Sequence, residues 1–362
     1  MKMILTDAML DAAFKFRDTE PWAELADSDV FSVILSDGTQ VYCSIMGHGG
    51  QHHSLGIYIG SQGFSTFLMT LEGDKMNTFE VLCSSTEFDC INCDFMQAKG
   101  LHPEVKKTIR DYAERHSLKI PRKHGWIDFT RHSPYHGAWC ITDEYDAFVA
   151  EETLRAATFF VQRFNETSYA GVHLDTEGNY PTQAGGKLIP LITTDENGAY
   201  QISTTRTPRM EKRDYPVFTF DNDILIHKLK SLDRHDEWQC RMLHFPTPVH
   251  NEESEIPVLP GTFVTIDKYE SYMHVPFVTS DYPANPKKLL TELANHMYDF
   301  GFLPEKIEVS DDKTFNMMTD FCRRCGIKLI KVKHMPQMDE ASMAMLHDIF
   351  MPNPMMDLML DF

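Results

Sequence analysis

FSVILSDGTQVYCSIMGHGGQHHSLGIYI, residues 31–59, is the stretch on which the fold at the front of the chain turns. Residues 31–35 alternate as a half-buried strand does. Asp37-Gly38 follows, a strong hairpin signal, because a tight turn of matching twist needs residues that accept positive φ. Residues 41–46 then form the returning strand. The glycine- and histidine-rich stretch 47–54 connects it to a third strand at 55–59. Gly60 and Gly63 supply turn flexibility before the apolar run 64–71. This rhythm predicts a meander of antiparallel strands.

Upstream of the meander, Leu5, Met9, Ala12, Ala13 and Phe16 recur near the 3.6-residue helical period, so a helix is expected at the start. Asp27 and Asp29 read as turn formers ahead of the first strand. Downstream, Val105, Ile109, Tyr112 and Ala113 share one side of a helix over 103–116. Thr142-Asp143-Glu144 places acids at another helix start, where the macrodipole favours them. Residues 165–187 are polar and turn-rich, and strand-like runs follow at 187–194, 199–204, 216–220 and 237–245. The last segment alternates strands at 262–266, 273–279, 306–309 and 327–332 with helices at 286–300, 313–324 and 338–350. That alternation implies crossover units.

The expected class is α+β. A mixed N-terminal domain with a small antiparallel sheet spans 1–165, and a linker or long loop spans 166–185. A C-terminal domain over 186–350 joins antiparallel strands to an α/β crossover unit, and a Met-rich tail occupies 351–362. At 362 residues the chain exceeds the size at which a single core stops growing. Its composition (42% hydrophobic, 24% charged) is that of a globular protein. A net charge of −19, from 34 basic and 53 acidic residues, opposes nonspecific attraction to nucleic acid or anionic lipid. The chain has no apolar run of membrane-spanning length, and Asp7 and Asp11 interrupt the N-terminus where a signal peptide would be continuous. The eight cysteines are scattered, which suits cytosolic thiols. A cytoplasmic location is expected.

Two sets of residues carry a family resemblance. The first is Trp22, Leu25, Asp27, Asp29 and Phe31, followed by VYCSIMG at 41–47 and LGIYIG at 55–60, with Trp126 and Phe129 further on. The second is GFLP at 301–304, then Ile307-Glu-Val and Gly326-Ile. Together they resemble a bacterial family built from two domains of unknown function. The resemblance implies a fold, since its motifs are turn and core residues, and it brings no activity with it.

Several groups of residues could carry chemistry. Cys90-Ile-Asn-Cys93 and Cys322-Arg-Arg-Cys325 both have ligand spacing, but buried free cysteine is also a small hydrophobe. His48, His52, His132 and His136 lie in two loops whose convergence would make a metal site. Gly47-His-Gly-Gly50 precedes a strand rather than a helix, so it reads as a turn and not a phosphate cradle. Asp267, Asp281 and Asp311 follow strands of the α/β segment, where carboxylates either hold Mg²⁺ or make turns and caps. Trp22, Tyr42, Tyr58 and Trp126, rimmed by Asp27 and Asp29, either close the N-terminal core or form a surface for a cationic or amphipathic ligand. The tail holds six large apolar side chains within residues 355–362, which suits either docking on a partner or folding back.

No cofactor fingerprint or nucleophile motif is present, so no cofactor is expected. The favoured function is a non-enzymatic, cytoplasmic binding or regulatory protein with a protein or small-molecule partner. The alternative is a metal-dependent hydrolase of phosphodiesters using Asp267, Asp281 and Asp311.

Overall fold

The computed structural model describes residues 2–71, 85–167, 188–211, 213–251, 254–269, 272–275, 277–282 and 285–350. The Met-rich tail and most of the expected linker lie outside them. Counting described residues only, the chain divides into two compact units. The first takes in 2–71, 88–134 and 138–211; the second takes in 85–87, 135–137 and 213–350. The fold class is α+β.

In the first unit, helix α1 (Asp7–Asp18) starts where Thr6 accepts the Met9 N–H on its hydroxyl at 3.1 Å. The meander follows as β1 (Phe31–Ile34), β2 (Gln40–Met46) and β3 (His53–Ile59). Residues 64–71 differ from expectation. They belong to helix α2 (Gly60–Leu71), because Phe64, Phe67 and Leu68 recur at helical spacing and bury one face. Then come β4 (Cys90–Met96), α3 (Pro103–Arg115), β5 (Trp126–His132), β6 (Trp139–Cys140) and α4 (Glu144–Thr167). Asp143, rather than Thr142, caps α4: its Oδ1 accepts the Tyr145 N–H at 2.8 Å.

Strands β7 (Leu188–Thr194) and β8 (Tyr200–Arg206) complete the first sheet, in the order β6-β5-β4-β3-β2-β1-β7-β8. All neighbours are antiparallel except β1 and β7. This hairpin was expected at the head of the second domain. Pairing decides otherwise: Ile192 is buried in the core beneath α1 and α4, and Tyr200 and Ile202 pack against that core. One face of the sheet is covered by α1, α3 and α4. On the other face α2 lies over Tyr42, Tyr58 and Cys90.

The second unit opens with α5 (Asp223–Lys230), a helix not anticipated. Its signal is Asn222, whose side chain accepts the Leu225 N–H at 3.0 Å, ahead of buried Leu225, Ile226 and Leu229. Residues 216–220 form no strand, and Phe220 gives its N–H to the Asp320 carboxylate at 3.0 Å instead of to a ladder. Strands β9 (Asp233–Arg234), β10 (Glu237–His244), β11 (Val249–Asn251), β12 (Ser254–Val258) and β13 (Gly261–Asp267) follow. The expected strand 273–279 is two short pieces, β14 (Met273–His274) and β15 (Val278–Thr279), each paired with β13.

Helix α6 (Pro286–Phe300) begins with proline and ends at Gly301, whose φ of +78° is the left-handed stop that glycine allows. The crossover unit is then as expected: β16 (Phe302–Leu303), β17 (Lys306–Val309), α7 (Asp312–Cys325), β18 (Lys328–Lys331) and α8 (Pro336–Phe350). The main sheet has the order β14-β13-β10-β17-β18, with β17 parallel to both β10 and β18. Alternation along β10 sends Trp238, Cys240 and Met242 into the core with α5, α6 and α7, and Leu243 toward Met335 and Met338. The unit is therefore layered, with helices on both faces of the sheet.

Candidate functional site: a polar face of the first sheet

The side of the first sheet opposite α1, α3 and α4, with α2 over one end of it, carries polar residues where a packed strand would carry aliphatic ones. Three cross-strand rows share this face. The first is Met46–Ser54–Asp94–Asp128, the second Ser44–Gly56–Asn92–Thr130–Cys140, and the third Tyr42–Tyr58–Cys90–His132. The intervening residues Leu55, Ile57, Ile91, Cys93, Ile127 and Phe129 point into the helix-covered core. Each strand is thus apolar on one side and polar on the other, as period-two alternation requires.

Ser44, Ser54 and Gly56 put small residues on this face of β2 and β3, and all three are buried. A Cβ on Gly56 would lie 3.0 Å from the Tyr58 hydroxyl, so the tyrosine ring fits closely against this position. The Ser44 hydroxyl donates to the Asp27 carbonyl at 2.8 Å, which brings the turn at 26–30 over the strand. Ser54 is fully buried, and its Oγ has no hydrogen-bond partner among the described residues.

Asp94 and Asp128 stand directly opposite each other on β4 and β5. Like charges in that position destabilise a sheet. The Asp94 side chain is 13% exposed and takes a hydrogen bond from His52 Nε2 at 3.1 Å. That bond raises the His52 pKa, against the smaller opposing effect of burial. Burial, reinforced by the Asp94 charge, pushes the Asp128 carboxyl up to about 6. Burial lowers the His132 pKa despite the nearby Asp94 charge. The face is therefore rich in acceptors and carries an acidic pair.

Sequence reasoning located the edges of this surface and missed its centre. His52, His132, Tyr58 and Asp27 were candidates and lie on or beside it, but Asp94, Asp128, Asn92 and Ser54 were not singled out. The signal was available as polar residues at every second position of CINCDFM and WIDFTRH.

The expected aromatic cluster is divided by the sheet. Tyr42 (4% exposed) stacks on Phe64 at 4.4 Å and Tyr58 (6% exposed) packs on Phe67 at 4.7 Å, both beneath α2. Trp22 sits in a short 3₁₀ turn and packs on His53 and Phe95, with the helix-covered core. Trp126 packs on that same core, with the Arg110 guanidinium 5.5 Å from its ring centre. The Asp29 carboxylate accepts the Ala26 N–H at 2.8 Å and makes a turn.

The histidines are not gathered either. His48 bonds the Trp22 carbonyl, His52 bonds Asp94, His132 lies 3.5 Å from Asn92, and His136 bridges Val258 in the second unit. Among the described residues no group of three or more His, Cys, Asp or Glu side chains is placed to hold a metal ion. Cys90 and Cys93 point to opposite faces of β4, and Cys322 and Cys325 are buried in the second unit's core.

The strand-end carboxylates of the second unit do not converge. Since β13 is antiparallel to β10 and β17 parallel to it, Asp267 and Asp311 lie at opposite ends of the sheet. Asp311 caps α7 by accepting the Thr314 N–H at 2.7 Å, and Asp267 accepts the Tyr269 N–H at 2.8 Å. Asp281 pairs with Lys288 at 2.6 Å after β15, three strand spacings from β17, or about 14 Å. Asp311 thus caps a helix and Asp267 makes a turn, while the Asp281 carboxylate is held in an ion pair.

A second carboxylate centre, also unforeseen, belongs to the second unit. Glu87 accepts the Tyr135 hydroxyl at 2.9 Å and the Tyr215 hydroxyl at 2.6 Å, with Lys313 Nζ at 3.3 Å and Arg213 Nε at 3.7 Å. Burial would raise this carboxyl, but the Lys313 charge, the two phenols and Arg213 hold it below the usual range.

Fold and site together define a two-unit α+β protein with an acidic, acceptor-rich sheet face. Two family models match it: a domain of unknown function, DUF7309, over residues 7–180, and a second, DUF6930, over residues 225–346. The chain belongs to a family that joins these two domains. No curated protein matches it.

Proposed function

We propose that this is a non-enzymatic binding or regulatory protein of the cytoplasm, and that the polar face of the first sheet contacts its ligand. The observation that supports this is the row containing Asp94 and Asp128. A like-charge pair held half-buried across two strands lowers stability, and perturbed carboxylates of this kind concentrate at functional sites. The cytoplasmic assignment rests on the sequence. Among the described residues no helix is long and apolar enough to cross a membrane.

The hydrolase reading finds less support, because Asp267 is engaged in a turn, Asp281 in an ion pair with Lys288 and Asp311 in a helix cap. Thr130→Tyr tests the proposal. It fills the middle of the polar face with a residue that strands accept. The variant should keep its thermal midpoint and lose capture of the native partner from cell extract. Undiminished capture would move the binding surface elsewhere.

A further inference from the structure

We propose that the Asp94–Asp128 pair is a receptor for a primary ammonium group, carried by a small amine or a lysine-like side chain. The proposal rests on the reading of this face as the ligand surface and gives that ligand a chemistry.

The geometry supports it in three ways. First, directly opposed residues on antiparallel strands place their Cβ atoms about 4.5–5.5 Å apart. A nitrogen donating to one oxygen of each carboxylate at about 2.8 Å spans a gap of that size. Second, both acids are acceptors when ionised. Asp94 has the exposed imidazole of His52 against it and His132 nearby, and no Lys or Arg pairs with Asp128 among the described residues. An ammonium has three donors and no acceptor, so it complements such a row. Third, the hydroxyl of Ser54 adjoins Asp94 in the same row, fully buried and unpartnered. A buried polar atom left in this state costs free energy unless a partner arrives. Asn92 and Thr130, in the next row, add further polar atoms beside the pair. A metal ion is a poorer match, because among the described residues no third ligand of the usual kinds joins the two carboxylates.

The test uses the full chain and butane-1,4-diamine as probe, titrated at neutral pH and followed by calorimetry. Tetramethylammonium and magnesium chloride serve as controls at matched ionic strength. Saturable binding of the diamine is expected, weakened at least tenfold in Asp94→Asn and in Asp128→Asn, with both variants folded by circular dichroism. Tetramethylammonium, which has the charge but no N–H donors, should not compete. Equal binding of tetramethylammonium would overturn the proposal, as would unchanged affinity in Asp128→Asn. If no amine binds while Thr130→Tyr still abolishes partner capture, the ammonium assignment falls and the ligand face stands.

Discussion

The two buried carboxylate centres differ in how completely they are answered. Glu87 in the second unit meets two phenol donors, an ammonium and a guanidinium, and its pKa is held down. Asp94 and Asp128 in the first unit meet one exposed imidazole, a second one nearby, a backbone N–H and each other, and Asp128 is pushed up to about 6. A saturated carboxylate holds the fold together, because removing it strands its partners. An unsaturated pair works against the fold and is retained only where something else uses it.

The largest expected effect is at the saturated centre. Glu87→Ala leaves Lys313 and Arg213 without their counter-charge, and breaking a buried pair in this way costs about 3–5 kcal/mol. Urea unfolding measures it. A loss below about 1 kcal/mol would place Glu87 with ordinary surface pairs and dissolve the contrast.

Trp22→Ala comes next, at about 2 kcal/mol, less than for a fully buried Trp because the ring is half-buried. An unchanged thermal midpoint with weakened partner capture would instead return Trp22 to the ligand surface.

Asp128→Asn should go the other way. Relief of the cross-strand repulsion raises stability at pH 7 by up to about 1 kcal/mol. The pH dependence follows from the direction of the shift. The folded-state pKa, about 6, lies above the reference value of 3.8. The wild type therefore binds more protons when folded, and its stability from this group is present below pH 4 and lost as pH rises through 6. The midpoints of wild type and Asp128→Asn should separate between pH 4 and 7, the variant gaining on the wild type. A constant difference across that range would show that Asp128 does not titrate there.

His52→Gln is the smallest, about 0.3 kcal/mol, because the ring is mostly exposed and the pair is screened. Its contribution should be present below the ordinary histidine pKa and fade as pH rises through the raised value.

Local readings of the sequence fared according to how local their physics was. Helix α1 was legible because its apolar period lies within a few turns of chain. Asp37-Gly38 named its hairpin for the same reason. The run 64–71 misled because a short apolar stretch with aromatics suits either period, and only packing on Tyr42 and Tyr58 selected the helix. The hairpin 188–206 misled because adjacency in sequence said nothing of β1, its partner in the sheet.

By itself the sequence determined the α+β class, the meander, the crossover unit and the acidic charge. These follow from periodicity, turn chemistry and composition, which act over a few residues or over the whole chain at once. Only the tertiary structure decided which carboxylates stand together. The Asp94–Asp128 pair exists because β4 and β5 align in one register, and a slip of β5 by one residue against β4 would have turned Asp128 into the core. The Glu87 centre joins residues as far as 226 positions apart. No local pattern encodes such a meeting, because it depends on how faces pack and not on what any one strand or helix prefers.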